Sequence, residues 1–218
     1  MIKIENIEVF NFGGAIRGMR NPMNSWDRSD SVYGTAYTLA DGEKITTSEG
    51  FSVGKNDLDL MKRLYKGGPV HAKYLRQIMV SMDITAPLYW WKEFDTYKVG
   101  TTANSCSTMH KIHAKEFTPH DFSLEHLNPT GRELLRQICC ELNFNRNVFI
   151  MSGDKNAWWQ MIQLLPSSYN QLRTVQLNYE VLANMYRARK DHKLDEWKEF
   201  CKWVEQLPYS EIITGEEE

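Results

Sequence analysis

The residues best equipped for catalysis or ligand binding lie late in the chain, where Asn178-x5-Asn184-x4-Arg189 is followed by Asp191, His192 and Glu196. Arg187, Lys190 and Lys193 make the same stretch the most basic in the sequence. Arginine presents a planar fork of donors that can clamp a phosphate through two bonds at once. Cations in a last helical turn also complement the helix dipole, worth ~0.3–1 kcal/mol, so the pattern alone supports either role. Asn178 is likewise either a ligand or the N-cap of the helix that follows it. Asn178 and Asn184 stand about 240° apart around a helix, so they need not share a face.

Other pairs are weaker. His110 and His113 are three apart, a spacing two metal ligands can use, but no third ligand follows at a diagnostic distance. Cys106 with His110 could form a nucleophile and base, yet nothing places the cysteine on a strained elbow, and a surface thiol is the simpler reading. Trp90-Trp91 and Trp158-Trp159 could stack a planar ring. Adjacent helical residues point ~100° apart, so one tryptophan of each pair is expected in the core and the other at an interface.

Composition removes several classes of function. A formal net charge of -2 lacks the cationic excess of a non-specific nucleic-acid binder. No apolar run reaches the ~20 residues of a membrane span, and the first residues lack a signal-peptide layout. The four cysteines offer no CxxC pair, and vicinal Cys139-Cys140 would bridge only with strain. Unpaired thiols in a reducing cytoplasm follow. Seven Trp and ten Met suggest a thick core plus an oligomer interface. The 218 residues are expected to form one domain.

The elements that must position these residues follow from periodicity and caps. Ile2, Ile4, Ile7 and Val9 predict a strand ending near Gly13-Gly14, and residues 20–55 read as loops with a short strand near Val32–Leu39. A helix is expected from Asn56-Asp57 to Gly67-Gly68, with Leu58, Met61, Leu64 and Tyr65 as its stripe. Val70–Thr85 begins helical and becomes a strand at Met79, and Pro87 opens an aromatic helix. Gly100–Met109 reads as a loop, and Thr130-Gly131-Arg132-Glu133 as a capping box. Helices after Asp154, over Asn178–Arg189 and over Asp195–Gln206 flank a strand at Leu172–Leu177.

In this order the residues resemble the flavin-dependent thymidylate synthases. Leu164-Leu165-Pro166, the strand to Leu177, the Asn178, Asn184 and Arg189 spacing and then His192 and Glu196 follow that family's carboxy-terminal pattern. Earlier, Ala15-Ile16-Arg17, His71 after Gly67-Gly68, Ala86-Pro87 and the loop ending Asn104-Ser105-Cys106-Ser107 agree in layout. The resemblance covers about three quarters of the chain. It implies an α/β fold with a curved, mainly antiparallel sheet and flanking helices. It also implies a homotetramer with sites built between subunits, FAD as cofactor, and deoxyuridylate or a related pyrimidine nucleotide as ligand. By the same resemblance Arg189 and Ser107 are the candidate catalytic residues. Asn178, Asn184, Lys98, Asn104 and His192 are the candidate cofactor contacts.

The departures matter as much. The family signature Arg-His-Arg-x2-Ser-x-Asn-x2-Ser-x-Arg aligns so that Tyr97-Lys98-Val99 stand for Arg-His-Arg, Thr102 for the first Ser, and Met109 for the last Arg. Ile162 replaces the arginine before Leu-Pro, and Gln77 or a neighbour replaces the flavin-contacting histidine. In that family arginines polarise the uracil ring in place of an enzyme nucleophile, so their loss strikes the chemical step. Methyl transfer to C5 is therefore doubtful. A non-catalytic oligomeric binding module on the same scaffold is the alternative.

Overall fold

Alternating burial along Met79–Pro87, with Val80, Met82 and Ile84 inside, is the period of two expected of a strand with one face on the core. The computed structural model describes residues 2–33, 36–38, 44–47 and 50–215. In chain order the strands are β1 (Lys3–Phe10), β2 (Val32–Tyr33), β3 (Ala36–Thr38), β4 (Lys44–Thr47), β5 (Phe51–Ser52), β6 (Met79–Pro87), β7 (Thr102–Ser105) and β8 (Asn170–Asn178). Six of them form one sheet in the order β3-β4-β1-β6-β8-β7, and β2 pairs with β5 separately. β3 and β4 run antiparallel, whereas Glu8 and Val9 of β1 pair in parallel with Thr46 and Thr47. The helices are α1 (Phe12–Arg20), α2 (Lys55–Lys66), α3 (Leu88–Phe94), α4 (Pro129–Ser152), α5 (Lys155–Leu164), α6 (Tyr179–Arg189), α7 (Asp195–Glu205) and α8 (Glu211–Thr214). The architecture is α/β, a mainly antiparallel sheet with flanking helices. Among the described residues no helix is long and apolar enough to cross a membrane.

The chain divides into two compact units. The first comprises Thr85–Thr96 and Asn104–Arg173 with the residues up to Lys3. Its core joins Ile112, Phe117, Phe122, Leu135, Leu142 and Met161. The second comprises Ile4–Ile84, Tyr97–Ala103 and Thr174–Glu218. It is centred on Phe12, Met61, Leu75, Ile78, Tyr179 and Phe200, with the Phe12 and Tyr179 rings packed edge to face at 5.8 Å.

Several expectations are corrected. The strand expected to end near Gly13-Gly14 ends at Phe10, and Phe12 already opens α1, whose Phe12, Ala15 and Ile16 are buried. Its three glycines hide the helix from propensity, yet two of them allow close approach. A Cβ on Gly14 would lie 2.2 Å from the Asn11 amide oxygen, and one on Gly18 would lie 2.5 Å from Gln77 Oε1. Tertiary burial outweighs the weak propensity. The strand near Val32–Leu39 is two strands, β2 and β3, in different sheets, and Leu39 lies outside the described residues. β7 forms inside the expected loop. All four of its residues are exposed, so it has no apolar alternation to read.

Thr130 does not cap α4. Asn128 does so two residues earlier, its Oδ1 accepting from the Gly131 amide at 2.8 Å with Pro129 at the first helical position. Glu133 instead accepts from Arg136 at 2.7 Å. Trp90 and Trp91 are both buried, so neither is left over for a partner. The Arg173 guanidinium lies 4.2 Å from the Trp91 ring centroid, and Trp91 Nε1 donates to the Gln171 carbonyl at 3.0 Å. All four cysteines are unpaired, and burial with the charges of Glu205 and Asp191 pushes the Cys201 thiol up to about 12.

One buried charge is invisible to periodicity. Asp57 of α2 is fully buried and accepts from Arg20 Nε at 2.6 Å, Ser29 Oγ at 2.7 Å and Ser31 Oγ at 2.6 Å. Arg20 in turn donates to the Ser25 and Arg28 carbonyls, both at 3.1 Å. Asp30 accepts from the Asn56 and Asp57 amides at 2.9 and 3.1 Å, capping α2 from outside the helix. Segment 20–31 is thereby tied to α2 along its length.

Candidate functional site

The polar residues of α6 are sorted by the helix itself. Asn178 is its N-cap, with Oδ1 accepting from the Val181 amide at 3.1 Å, and it is buried. The backbone of Gly100 crosses directly over it. A Cβ there would sit 2.9 Å from Asn178 Nδ2, and the φ of +78° favours glycine. The capping role of Asn178 is therefore realised, and the amide is enclosed by its own chain.

Asn184 and Arg187, three apart, share one face, and Arg187 Nη2 donates to Asn184 Oδ1 at 2.6 Å. Both line a groove of about 510 Å³ together with Tyr65, Leu75, Arg76 and Glu180. Arg76 Nε donates to Glu180 Oε2 at 2.7 Å, and this bond draws the Arg76 side chain toward its charged state. Sequence reasoning missed Arg76 and Glu180 as groove residues. They are 104 positions apart, so no local spacing links them.

Arg189 does not line that groove. Arg187 and Arg189 point about 200° apart on a helix, which sends Arg189 to the other side. There it is half-buried, with Nε donating to Tyr97 Oη at 3.0 Å and its guanidinium 4.9 Å from the Trp197 ring centroid. Arg189 thus meets one of the residues standing where the signature arginines were expected. His192 joins the cluster, its ring 6.4 Å from Trp197, while His192 Nδ1 accepts from the Leu194 amide at 3.2 Å. Lys98 is exposed. Of the five candidates in this unit, Arg189 and His192 gather around Trp197, Asn184 faces the groove, Asn178 is a cap, and Lys98 faces solvent.

Ser107 and Asn104 belong to the first unit. Asn104 is exposed on β7. Ser107 Oγ accepts from the Met109 and His110 amides at 3.2 and 2.9 Å and so shapes a turn. It also lines a cavity of about 380 Å³ with Cys106, Lys115, His120, Asp121 and Tyr169. His113 packs on Phe149 at 4.9 Å between ring centroids, and among the described residues no three His, Cys, Asp or Glu form a metal site. At the remaining signature positions Val99 is 90% and Met109 49% exposed, so two uncharged side chains face solvent where arginines were expected.

No family model and no curated protein matches this sequence. Solved structures do. Thymidylate synthase X from Helicobacter pylori with FAD and dUMP is 17% identical, with a TM-score of 0.65 over 97% of this chain and 96% of that one. Flavin-dependent thymidylate synthase from the same organism, complexed with FAD and dUMP, is 18% identical, with a TM-score of 0.60 over 94% and 96%. A UMP/dUMP methylase from Streptomyces cacaoi bound with 5-Br dUMP is 12% identical, with a TM-score of 0.62 over 99% and 95%. At such identities the shared property is the fold, and the chain has the fold of the flavin-dependent thymidylate synthases.

Proposed function

We propose that this protein is a cytoplasmic pyrimidine-deoxynucleotide-binding member of that scaffold, taking a deoxyuridylate-like ligand with the help of Arg189, and that it does not methylate C5 at a useful rate. The observation that carries the reading is the pre-set guanidinium of Arg189, held by the Tyr97 hydroxyl and the Trp197 face on a scaffold whose similar structures contain dUMP or 5-Br dUMP. A charged donor already fixed in direction loses little freedom when it meets a carbonyl or phosphate oxygen.

A flavin fits the chemistry of the α6 groove. Arg76 and Arg187 would hold a diphosphate, Asn184 would offer an amide, and Ala72, Leu75 and Ala183 would form an apolar bed for a ring. When bound, such a group supplies hydride transfer. The alternative, a binding module without catalysis, is favoured by one observation: Asn178 and His192 are already bonded to backbone amides. Flavin absorbance in the purified protein separates the two readings.

Arg189→Ala is expected to weaken binding roughly ten- to hundredfold, the effect of one lost hydrogen bond to a charged partner. Calorimetric titration of both proteins with deoxyuridylate, thymidylate and FAD measures it. Unchanged affinity would reduce Arg189 to a helix-terminal cation.

A homo-oligomer, in the form of a tetramer, completes the proposal. With Trp90 and Trp91 in the core, the apolar surface for it comes from Leu134, Phe144 and Met151 on α4 and Trp159 on α5, which are 55, 63, 87 and 45% exposed. Light scattering at micromolar concentration should report about four times the chain mass of 25.5 kDa, and a monomer would remove the idea.

A further inference from the structure

A cleft of about 890 Å³ lies between α2 and the segment that follows α1, and none of its lining residues is among those assigned above to the nucleotide or the flavin. Arg28, Lys62 and Arg63 line it, with Met23 and Leu60 as apolar wall and Asp59 as an acidic neighbour. Arg20, 5% exposed, forms part of the floor, where Asp57 neutralises it. Lys62 also reaches Glu211 at 3.6 Å, a weak contact near the surface.

The walls are held by a structure that stability alone does not explain. Burying an ion pair with serine and backbone partners is commonly no more stable than an apolar core of the same volume. What the Arg20, Asp57, Ser29 and Ser31 network does supply is a fixed shape. It ties the backbone of Ser25 and Arg28 to α2, and Arg28 lines the cleft together with Lys62 and Arg63 of that helix. The cationic sign is local, because the chain as a whole carries -2.

We propose that this cleft binds a small ligand bearing two or more linked phosphates, gripped by Arg28 and Arg63 with Lys62 adding charge. Two guanidinium forks match adjacent phosphate groups, each able to accept two bonds. Met23 and Leu60 would cover the uncharged part of the ligand. The concave form and the chain's net negative charge disfavour a nucleic-acid backbone, which needs an extended basic track.

The test is calorimetric titration at low salt with sodium tripolyphosphate, using the full chain and the variants Arg28→Ala, Arg63→Ala, Asp59→Asn and Arg189→Ala. Melting curves on each confirm folding. Wild type should bind. Each cleft arginine removed should weaken binding roughly ten- to hundredfold, as expected for a lost charge-assisted hydrogen bond. Asp59→Asn should tighten it a few-fold by removing a repelling charge, a gain that no loss of structure produces. Arg189→Ala should leave it unchanged, which separates this site from the proposed nucleotide contact.

No binding at millimolar tripolyphosphate, or unchanged affinity in both cleft arginine variants, overturns the proposal. So does loss in Arg189→Ala. Equal binding of citrate would replace phosphate recognition with general anion binding and overturn it as stated. Tight binding of a twelve-nucleotide single strand, with tripolyphosphate inert, would assign the cleft to nucleic acid instead.

Discussion

Replacing Asp57 with alanine is expected to lower folding stability by about 3–5 kcal/mol, because it leaves the buried Arg20 guanidinium without its counter-charge. Urea unfolding of the two proteins measures the difference. A loss below about 1 kcal/mol would mean that water reaches Arg20 and that the pair behaves as an exposed one. The effect should depend on pH in one direction. Burial pushes the Asp57 carboxyl up, but hydrogen bonds from Ser29, Ser31 and Arg20, with the charge of Arg20, outweigh it and hold it below the ordinary 3.8. The unfolded chain then takes up the proton before the folded one does. The stabilisation is complete above the ordinary value of 3.8 and is lost as the pH falls from there through the lowered one. Wild type and Asp57→Ala should therefore converge in stability on acidification below that range and stay furthest apart near neutrality.

A thymidine-requiring strain that carries only this gene is expected not to grow without thymidine. Removing a single preorganised donor to a developing negative charge costs roughly 10²–10³ in rate, and Tyr97, Val99 and Met109 each stand where the resemblance expects an arginine. Tyr97 is occupied with Arg189 and packs 6.1 Å from Trp197 between ring centroids, while Val99 and Met109 face solvent. Growth would show that Lys98 or another cation completes the site, and the binding-only reading would be abandoned.

The stretches legible in the sequence are those in which the determining interactions are local. The caps Asp154 and Asn178 precede their helices and accept from amides two and three residues on, at 2.8 and 3.1 Å. β6 shows its alternation because one face meets the core, and α2 shows its stripe because Met61 is buried within it. These patterns persist in any environment that buries one face. The order of Asn178, Asn184 and Arg189 along α6 pointed to the right fold for the same reason, since it follows one helix.

What each of those residues touches is settled by the chain returning on itself. Arg20 finds Asp57 across 37 positions, and Arg189 finds Tyr97 across 92. No periodicity encodes such a meeting. It follows from sheet order and from the glycines of α1, which bring Gln77 within touching distance of Gly18. The two arginines of α6 look equivalent in the sequence, but the helical turn separates them into a groove residue and an aromatic-cluster residue. Trp90 and Trp91 looked divisible between core and surface, and the packing of Phe94 and Arg173 around them buries both. Most helices and strands are thus written locally along the chain, with α1 and β7 as the exceptions. Which charges are buried, which are paired and which still face a cavity emerges from the folded arrangement, because burial and pairing depend on distances that neighbouring residues do not contain.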